Sequence, residues 1–219
     1  MTRYLVCIIM GYAIGAINPA FFIAKLHGMD IRKSGSRNAG ASNTLILFGK
    51  LQGIFCALFD IAKAFFVIRL SQYIFPDFIW AFSVTSVACI FGHVFPFYMN
   101  FKGGKGLACL GGMVLCYDWR VFLVLLASEL AIVLLTDYIC FVPITASLVF
   151  PIIYGFMSKD LVGALILGIS TLLMLYKHRE NLDRIKSGTE AHFSLLWNKE
   201  KEIERIQKKF EEEENKKQK

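Results

Sequence analysis

Residues 102–106, Lys-Gly-Gly-Lys-Gly, combine the residue types that can surround an anion. Glycine leaves main-chain N–H groups accessible, and lysine ammonium groups add positive charge around a phosphate. An apolar run follows, so we expect a helix to begin at Gly106 and to point its N-terminal N–H groups and positive dipole end toward the same site. A basic anchor at a membrane surface explains this loop, taken alone, equally well.

A second polar segment, residues 30–43, carries a side-chain hydrogen-bond donor at nearly every position and has little that could pack in a core. Glycine, serine and asparagine in such density cap helices or bind an oxyanion. The alternative is a flexible turn between two helices, although a turn would not need so many donors. Ser36 and Asn38 are the donors that we expect at an anion.

A third polar segment, residues 177–184, ends the last apolar run. If the helix continues through this segment, His178, Asn181 and Arg184 lie on one face, because three-residue spacing brings side chains together. Taken alone, the segment is also typical of a helix end whose basic side chains reach the membrane surface.

The composition predicts the elements that carry these segments. Hydrophobic residues make up 56% of the 219 residues, which exceeds the usual share in a soluble domain. Four apolar runs have the length of a bilayer crossing, namely residues 4–26, 53–74, 78–97 and 138–157. Two shorter runs, 121–135 and 161–176, are almost uncharged, and residues 106–117 are short enough to be re-entrant or tilted. We predict an all-α integral membrane protein with about seven transmembrane helices, with five as the alternative.

Most of the 24 lysine and arginine residues lie in the three polar segments or after residue 176. The positive-inside rule then places these segments and the C-terminus in the cytoplasm and the N-terminus outside. Even numbers of crossings separate the three segments, so we expect them to meet at one membrane face. A site that joins Ser36, Asn38, Lys105, His178 and Asn181 would suit a phosphate-bearing substrate, and the helices around it would offer an apolar slot for a chain.

Charged residues within the apolar runs need partners, because an unpaired charge in the membrane is costly. Asp60 and Lys63 have the spacing of a pair that faces the helix bundle. Glu129 has no assigned role. The six cysteines all lie in apolar runs without a Cys-x-x-Cys pair, and the four histidines are scattered, so we expect no metal site and no cofactor.

Three motifs resemble a known family in order and spacing. Residues 30–43 contain Asp-x-Arg-x-x-Gly-Ser-x-Asn-x-Gly-Ala-Ser-Asn. Residues 92–106 contain Gly-His-x-Phe-Pro and Phe-Lys-Gly-Gly-Lys-Gly, and residues 178–190 contain His-Arg-x-Asn-Leu-x-Arg-Ile-x-x-Gly-Thr-Glu. In these motifs the chain is similar to the bacterial acyl-phosphate:glycerol-3-phosphate acyltransferases, the PlsY family. Asp60 and Lys63 also match the Asp-x-x-Lys of that family.

The resemblance implies a seven-helix membrane enzyme that transfers a fatty acyl group from acyl phosphate to the 1-hydroxyl of glycerol 3-phosphate. The products would be lysophosphatidic acid and phosphate, in phospholipid biosynthesis at the bacterial inner membrane. The implied partners are the two substrates, membrane lipid and the soluble enzyme that forms acyl phosphate, and no nucleic acid is expected. The net charge of +7 suits anionic substrates and an anionic leaflet.

The resemblance also assigns roles to residues of this chain. The implied catalytic residues are Ser36, Lys105, His178 and Asn181. The implied substrate-binding residues are Arg37, Asn38, Asn43, Gly103, Gly104, Gly106 and Arg184. The implied structural residues are Asp60, Lys63 and Glu190.

The chain departs from the family pattern at three places. The family carries an arginine where this chain has Ile46, and a glycine where it has Arg37. We interpret Arg37 as a compensating phosphate ligand. Residues 137–143 lack the serines that the family often places there. These departures indicate a divergent member, with altered donor preference or without activity.

Other interpretations remain open from the sequence. His178 and Asp183 form the H-x4-D pattern of a different acyltransferase class, in which histidine is the general base. A transporter of anions or lipid head groups, or an inactive lipid-binding paralogue, would share the apolar helices and glycines. Residues 198–219 form a charged cytoplasmic tail beyond the membrane domain of residues 1–197, and we expect that tail to be a solvated, frayed end.

Overall fold

The computed structural model describes residues 1–196, 201–202 and 204–209, and every regular element among them is helical, as predicted. The α-helices are α1 Thr2–Ala16, α2 Pro19–Leu26, α3 Ala41–Phe48, α4 Lys50–Ile74, α5 Ala81–Val94, α6 Leu107–Tyr117, α7 Trp119–Thr136, α8 Phe141–Ser158 and α9 Leu161–Ser187. Short 3-10 turns lie at Ile31–Lys33, Phe97–Met99 and Phe193–Leu196.

Six helical stretches in the described part of the chain are long and apolar enough to cross a membrane. Helix α6 has 11 residues and spans about 16 Å, roughly half of a bilayer core. Its ends nevertheless lie near opposite faces. Lys105, just before α6, contacts Asn181 near the end of α9, whereas Tyr117 Oη lies 2.9 Å from Ser158 Oγ, close to the start of α9. The count of about seven therefore corresponds to six membrane-length stretches and the shorter α6, which extends from one end of α9 toward the other.

The first apolar run forms one candidate membrane span, Thr2–Leu26, that is interrupted between α1 and α2. Asn18 adopts an extended conformation and its side chain caps α2, which begins with a proline that has no N–H group. The carbonyl of Ala16 accepts a hydrogen bond from Tyr98 Oη at 2.7 Å, and the carbonyl of Ile17 accepts one from Lys63 Nζ at 2.5 Å. Such partners allow a broken helix inside a membrane protein.

Glycines bring α1 and α5 into direct backbone contact. A Cβ atom on Gly11 would lie 2.7 Å from Thr85 O, and one on Gly15 would lie 2.1 Å from Cys89 O. This Gly-x-x-x-Gly spacing is a common device for close helix packing in membranes. The contact fixes α5, whose C-terminal end precedes the lysine-glycine loop.

A tertiary hydrogen bond compensates for the proline inside α8. Pro151 has no N–H group to offer to the carbonyl of Ser147, four residues earlier. Thr171 Oγ1 of α9 donates to that carbonyl instead. Helix α9, which carries the third polar segment, is thereby tied to α8.

The end of the chain differs from the expectation of a solvated, frayed tail. Residues 201, 202 and 204–209 are helical, and Glu202 is buried. The prediction is therefore wrong for this part, because Glu202 and Arg205 have hydrogen-bond partners in residues 188–192, which follow α9. The predicted boundary between residues 197 and 198 lies outside the described residues.

Candidate active site

The three polar segments meet around Lys105, as predicted from the parity of the crossings. Lys105 Nζ donates a hydrogen bond of 2.5 Å to Asn181 Oδ1 of α9. On the other side of the loop, a Cβ atom on Gly104 would lie 2.9 Å from the carbonyl oxygen of Ala39 in the first segment. The lysine-glycine loop therefore lies between the first and third segments.

Asn43 organises the first segment from inside. Its side-chain amide donates to the carbonyls of Ile31 and Ser34, both at 3.0 Å, and its Oδ1 accepts the N–H of Ser36 at 2.9 Å. The residue is fully buried. The implied role of Asn43 as a direct substrate ligand is therefore wrong, because its amide is occupied by the loop that it shapes.

The side chains that Asn43 positions are available to a ligand. Ser36 and Arg37 are exposed and Asn38 is half-buried. Within the described residues, neither the Ser36 hydroxyl nor the Asn38 amide has a hydrogen-bond partner. Arg37 has a φ of 57°, in the left-handed region that favours glycine. Arg37 is therefore under backbone strain that a glycine at this position would not have.

The first two glycines of the lysine-glycine loop serve packing, because their N–H groups are already used. Gly103 N donates to Val94 O at 3.0 Å and Gly104 N donates to His93 O at 3.2 Å. Cβ atoms would lie 2.1 Å from His93 O at Gly103 and 2.2 Å from His93 Nε2 at Gly104. The prediction that Gly103 and Gly104 bind the acyl phosphate through free N–H groups is therefore wrong.

The anion-binding donors lie a few residues further along. Helix α6 begins directly after Gly106, as predicted, and Gly106 has a φ of 92° that only glycine adopts readily. The N–H groups of residues 107–109 have no acceptor within the part of the chain that the structure describes. These three groups and the positive end of the α6 dipole form an anion-binding end beside Lys105.

The third segment is helical to Ser187, so His178, Asn181 and Arg184 share a face as predicted. Asn181 Nδ2 donates to Glu190 Oε1 at 2.5 Å, and Arg184 Nε lies 2.6 Å from Glu190 Oε2. Glu190 thus fixes both side chains. The terminal nitrogens of Arg184 have no partner among the described residues and remain available to a ligand.

His178 is held in one tautomer by the backbone. Its Nδ1 lies 2.9 Å from the carbonyl oxygen of Met174, which can only accept, so Nδ1 carries the proton and a neutral ring keeps Nε2 as an acceptor. Asp183 instead lies 3.8 Å from Lys186, with a side chain that is 72% exposed. The interpretation of these residues as an H-x4-D pair is therefore wrong.

Lys105 is charged in an environment that disfavours the charge. Burial lowers the pKa of Lys105 most, and the neighbouring positive charge of Arg184 lowers it further, while Glu190 partly opposes both effects. A bound phosphate would offset this cost by supplying the missing counter-charge. The site is therefore poised for an anion.

A buried ionic cluster lies beneath the lysine-glycine loop. Lys63 Nζ lies 2.6 Å from Asp60 Oδ1, which confirms the predicted pair, and 3.1 Å from His93 Nδ1. No sequence signal joined His93 directly to this pair, although His93 lies in the second motif. Asp60, His93 and Cys109 also bring ligand-type atoms within 4.8 Å of one another, but the ammonium group of Lys63 already supplies positive charge to Asp60 and His93.

Comparison with known proteins identifies the family. The family model described as glycerol-3-phosphate acyltransferase matches residues 5–188. The chain belongs to the glycerol-3-phosphate acyltransferase family.

The similarity to relatives in this family extends over nearly the whole length of each relative. The chain is 36% identical over 189 residues to the glycerol-3-phosphate acyltransferase of Thermotoga petrophila, which covers 86% of this chain and 95% of the relative. It is 33% identical over 206 residues to that of Lactiplantibacillus plantarum, covering 93% and 99%. The crystal structure of PlsY, an integral membrane glycerol 3-phosphate acyltransferase in its glycerol 3-phosphate form, matches with a TM-score of 0.80 and 32% identity, covering 88% of this chain and 96% of that one.

Membership confirms the resemblance derived from the three motifs and makes this chain a membrane acyltransferase of phospholipid biosynthesis. It favours the enzyme over a transporter. Ile46, at the position where the resemblance implies an arginine, lies on α3 with 57% of its surface exposed. Arg37 is exposed in the first segment, and its role as a compensating phosphate ligand stays a prediction.

Proposed function

We propose that this protein transfers a fatty acyl group from acyl phosphate to the 1-hydroxyl of glycerol 3-phosphate, giving lysophosphatidic acid and phosphate. The observation that carries the proposal is the linked network of Lys105, Asn181, Glu190 and Arg184 beside the free N-terminus of α6. This arrangement offers anion-binding groups for two phosphorylated substrates at one place.

Two similar structures support the choice of acceptor and product. They are described as PlsY in a glycerol 3-phosphate form and in a lysophosphatidic acid form, and the second matches this chain with a TM-score of 0.78 and 30% identity. An acyl phosphate is a mixed anhydride with a good leaving group, so the proposed reaction depends chiefly on positioning the two substrates.

The donor half of the site handles a mixed anhydride. We assign its phosphate to the N–H groups of residues 107–109 and to Lys105, with Ser36 and Asn38 as further donors to phosphate or carbonyl oxygen. When the acceptor hydroxyl attacks the acyl carbon, a new C–O bond forms and the bond to the phosphate oxygen breaks. Donors fixed in advance stabilise the charge that develops on both oxygens.

The acceptor half lies on α9. We assign the phosphate of glycerol 3-phosphate to the terminal nitrogens of Arg184, and its hydroxyl to Nε2 of His178. That nitrogen accepts the hydroxyl proton as the bond to the acyl carbon forms, because the carbonyl of Met174 keeps the other ring nitrogen protonated. Asn181, held between Lys105 and Glu190, orients the acceptor between the two halves.

The location follows from the same proposal. We place the protein in the bacterial inner membrane with the N-terminus outside and with the three polar segments and C-terminus in the cytoplasm, where glycerol 3-phosphate and a soluble acyl-phosphate-forming enzyme would meet it. The basic character of these segments supports this orientation.

Release of inorganic phosphate from palmitoyl phosphate, with and without glycerol 3-phosphate, tests the function. We expect release that requires the acceptor, that is lost in Ser36→Ala and that persists in Ser128→Ala, a matched change on an exposed serine of α7. Release without the acceptor would indicate a phosphatase. No release from the folded protein in lipid would contradict the donor and leave the inactive paralogue.

A further inference from the structure

The chain beyond the family match turns back onto the turn that follows α9, residues 188–192. The match ends at residue 188. Arg205, in the helical residues 204–209, donates from Nη1 to the carbonyl of Gly188 at 2.5 Å and from Nη2 to the carbonyl of Glu190 at 2.7 Å. One guanidinium group therefore holds both ends of the turn that follows α9.

Glu202 fixes the guanidinium in this position. Its carboxylate accepts hydrogen bonds from Nε of Arg205 at 3.0 Å and from Nη2 at 2.7 Å. It also accepts one from the main-chain N–H of His192 at 2.8 Å. Burial raises the pKa of Glu202, but the bonds from Arg205 and His192 outweigh burial and lower it overall. Both side chains are thus charged, and two parallel hydrogen bonds join them, as in other bidentate arginine-carboxylate pairs.

The same stretch is attached to the loop between α7 and α8. Ser194 donates to the two carboxylate oxygens of Asp137 from its N–H and its hydroxyl, both at 2.8 Å. His192 Nε2 lies 3.0 Å from Tyr138 Oη. The stretch is therefore attached on one side to the loop between α7 and α8 and on the other side to the turn after α9.

The turn that Arg205 holds controls the acceptor half of the site. Within it, the N–H groups of Thr189 and Glu190 donate to the carbonyl of Arg184 at 2.8 and 3.0 Å. This fold-back points the Glu190 carboxylate at Asn181 and Arg184, the side chains assigned to glycerol 3-phosphate. A shift of the turn would move both of them.

We propose that residues 191–196, 201–202 and 204–209 form a clamp on the acceptor site and that Arg205 is a positioning residue for Asn181 and Arg184. The clamp acts through the carbonyls of Gly188 and Glu190 and does not touch the substrate. It rests on the proposed function in one respect, namely that the acceptor is glycerol 3-phosphate.

Steady-state kinetics of Arg205→Gln, Arg205→Lys and the exposed control Lys208→Gln test the clamp. We expect Arg205→Gln to raise the KM for glycerol 3-phosphate about tenfold, the size of a lost charge-assisted hydrogen bond, with the KM for palmitoyl phosphate within about twofold. The KM of Arg205→Lys for glycerol 3-phosphate should lie between those of Arg205→Gln and the unchanged enzyme, because an ammonium group keeps the charge but lacks the fork that reaches two carbonyls. Lys208→Gln should match the unchanged enzyme.

Hydrogen exchange of the peptide that contains residues 184–192 provides a readout that does not depend on turnover. We expect faster exchange of the Thr189 and Glu190 N–H groups in Arg205→Gln than in Lys208→Gln. An unchanged KM for the acceptor, or an equal change for both substrates, would overturn the proposal. If the unchanged protein transferred no acyl group, the proposed function would fall, and the exchange rates would still decide whether Arg205 holds the turn.

Discussion

Lys105 links the two halves of the site, because its ammonium group contacts Asn181 and lies beside the free N-terminus of α6. The glycines around it act differently from one another. Gly103 and Gly104 allow the loop to pack on His93, whereas Gly106 permits the turn that starts α6. At the scale of single residues, the loop is a rigid support for one lysine and one helix end.

The depressed pKa of Lys105 predicts an alkaline limit to activity. Burial and Arg184 favour the neutral amine, so the ammonium group is lost as pH rises through a pKa below the ordinary 10.5. We expect kcat/KM, which reports the free enzyme, to fall in this range, and to fall only at higher pH in Lys105→Arg, because a guanidinium stays charged. Identical alkaline limbs in the two enzymes would contradict the assignment.

Substitutions at Arg37 and Ile46 test whether Arg37 compensates for the arginine that the resemblance implies at position 46. We expect the change at Arg37 to have opposite effects on stability and on activity. Arg37→Gly should stabilise the protein by about 1 kcal/mol, since glycine removes the left-handed strain, yet it should lower activity about tenfold if the guanidinium binds phosphate. Adding Ile46→Arg should restore activity. Phosphate release and thermal unfolding measure the two effects, with Lys25→Gln as a control for loss of an exposed charge.

The hypothesis of compensation fails if Arg37→Gly is as active as the unchanged enzyme. In that case Ile46 alone would decide whether the missing arginine matters. The hypothesis also fails if Ile46→Arg raises activity equally whether residue 37 is arginine or glycine.

Gly104→Ala provides the matching test for the packing role of the loop. A Cβ atom there would lie 2.2 Å from His93 Nε2, inside the buried cluster with Asp60 and Lys63. We expect loss of most activity together with a lower unfolding temperature, since a substitution at a free anion-binding N–H would leave stability unchanged. Gly168→Ala, where a Cβ atom meets open space, is the control.

At the scale of elements, interrupted helices have their freed backbone groups satisfied by distant side chains. The break before α2 uses Tyr98 and Lys63, and the proline in α8 uses Thr171. Glu129 of α7 also has a partner on another helix, because its carboxylate accepts a hydrogen bond of 2.6 Å from the hydroxyl of Thr145 in α8. Helices that carry the site are thereby joined inside the membrane, where an unpaired polar group is costly.

The bond to the proline-containing helix can be tested with a double-mutant cycle. Thr171→Val should cost about 1–2 kcal/mol of unfolding free energy, because the carbonyl of Ser147 loses its donor. Adding Pro151→Ala should recover part of that loss, since alanine supplies the missing N–H group. Equal costs for Thr171→Val and for Thr136→Val, a threonine bonded only locally, would contradict this account.

At the scale of the whole molecule, all three motifs meet at the N-terminal end of the short α6, where the site lies. This placement fits a reaction that joins a membrane-embedded acyl chain to a water-soluble phosphate ester.

Cysteine labelling from each side of the membrane tests this topology, because all six natural cysteines are buried. We expect Arg120→Cys and Lys159→Cys to react with an impermeant maleimide in intact cells, and Lys102→Cys to react only after permeabilisation. The reason is that we expect α6 to cross the membrane between residues 102 and 120. Protection of Arg120→Cys alongside Lys102→Cys would show that α6 is re-entrant.

The sequence by itself determined the membrane class, the family and the meeting of three motifs, because hydrophobic length, charge distribution and motif spacing are local properties of the chain. It also paired Asp60 with Lys63, which are three residues apart. Only the tertiary structure decided which donors are free. Asn43, Gly103 and Gly104 have the right chemistry for a phosphate, but their hydrogen-bonding groups are used within the fold. The role of Arg205 was equally hidden, since its carbonyl partners lie 15 and 17 residues away and chain spacing does not reveal such contacts.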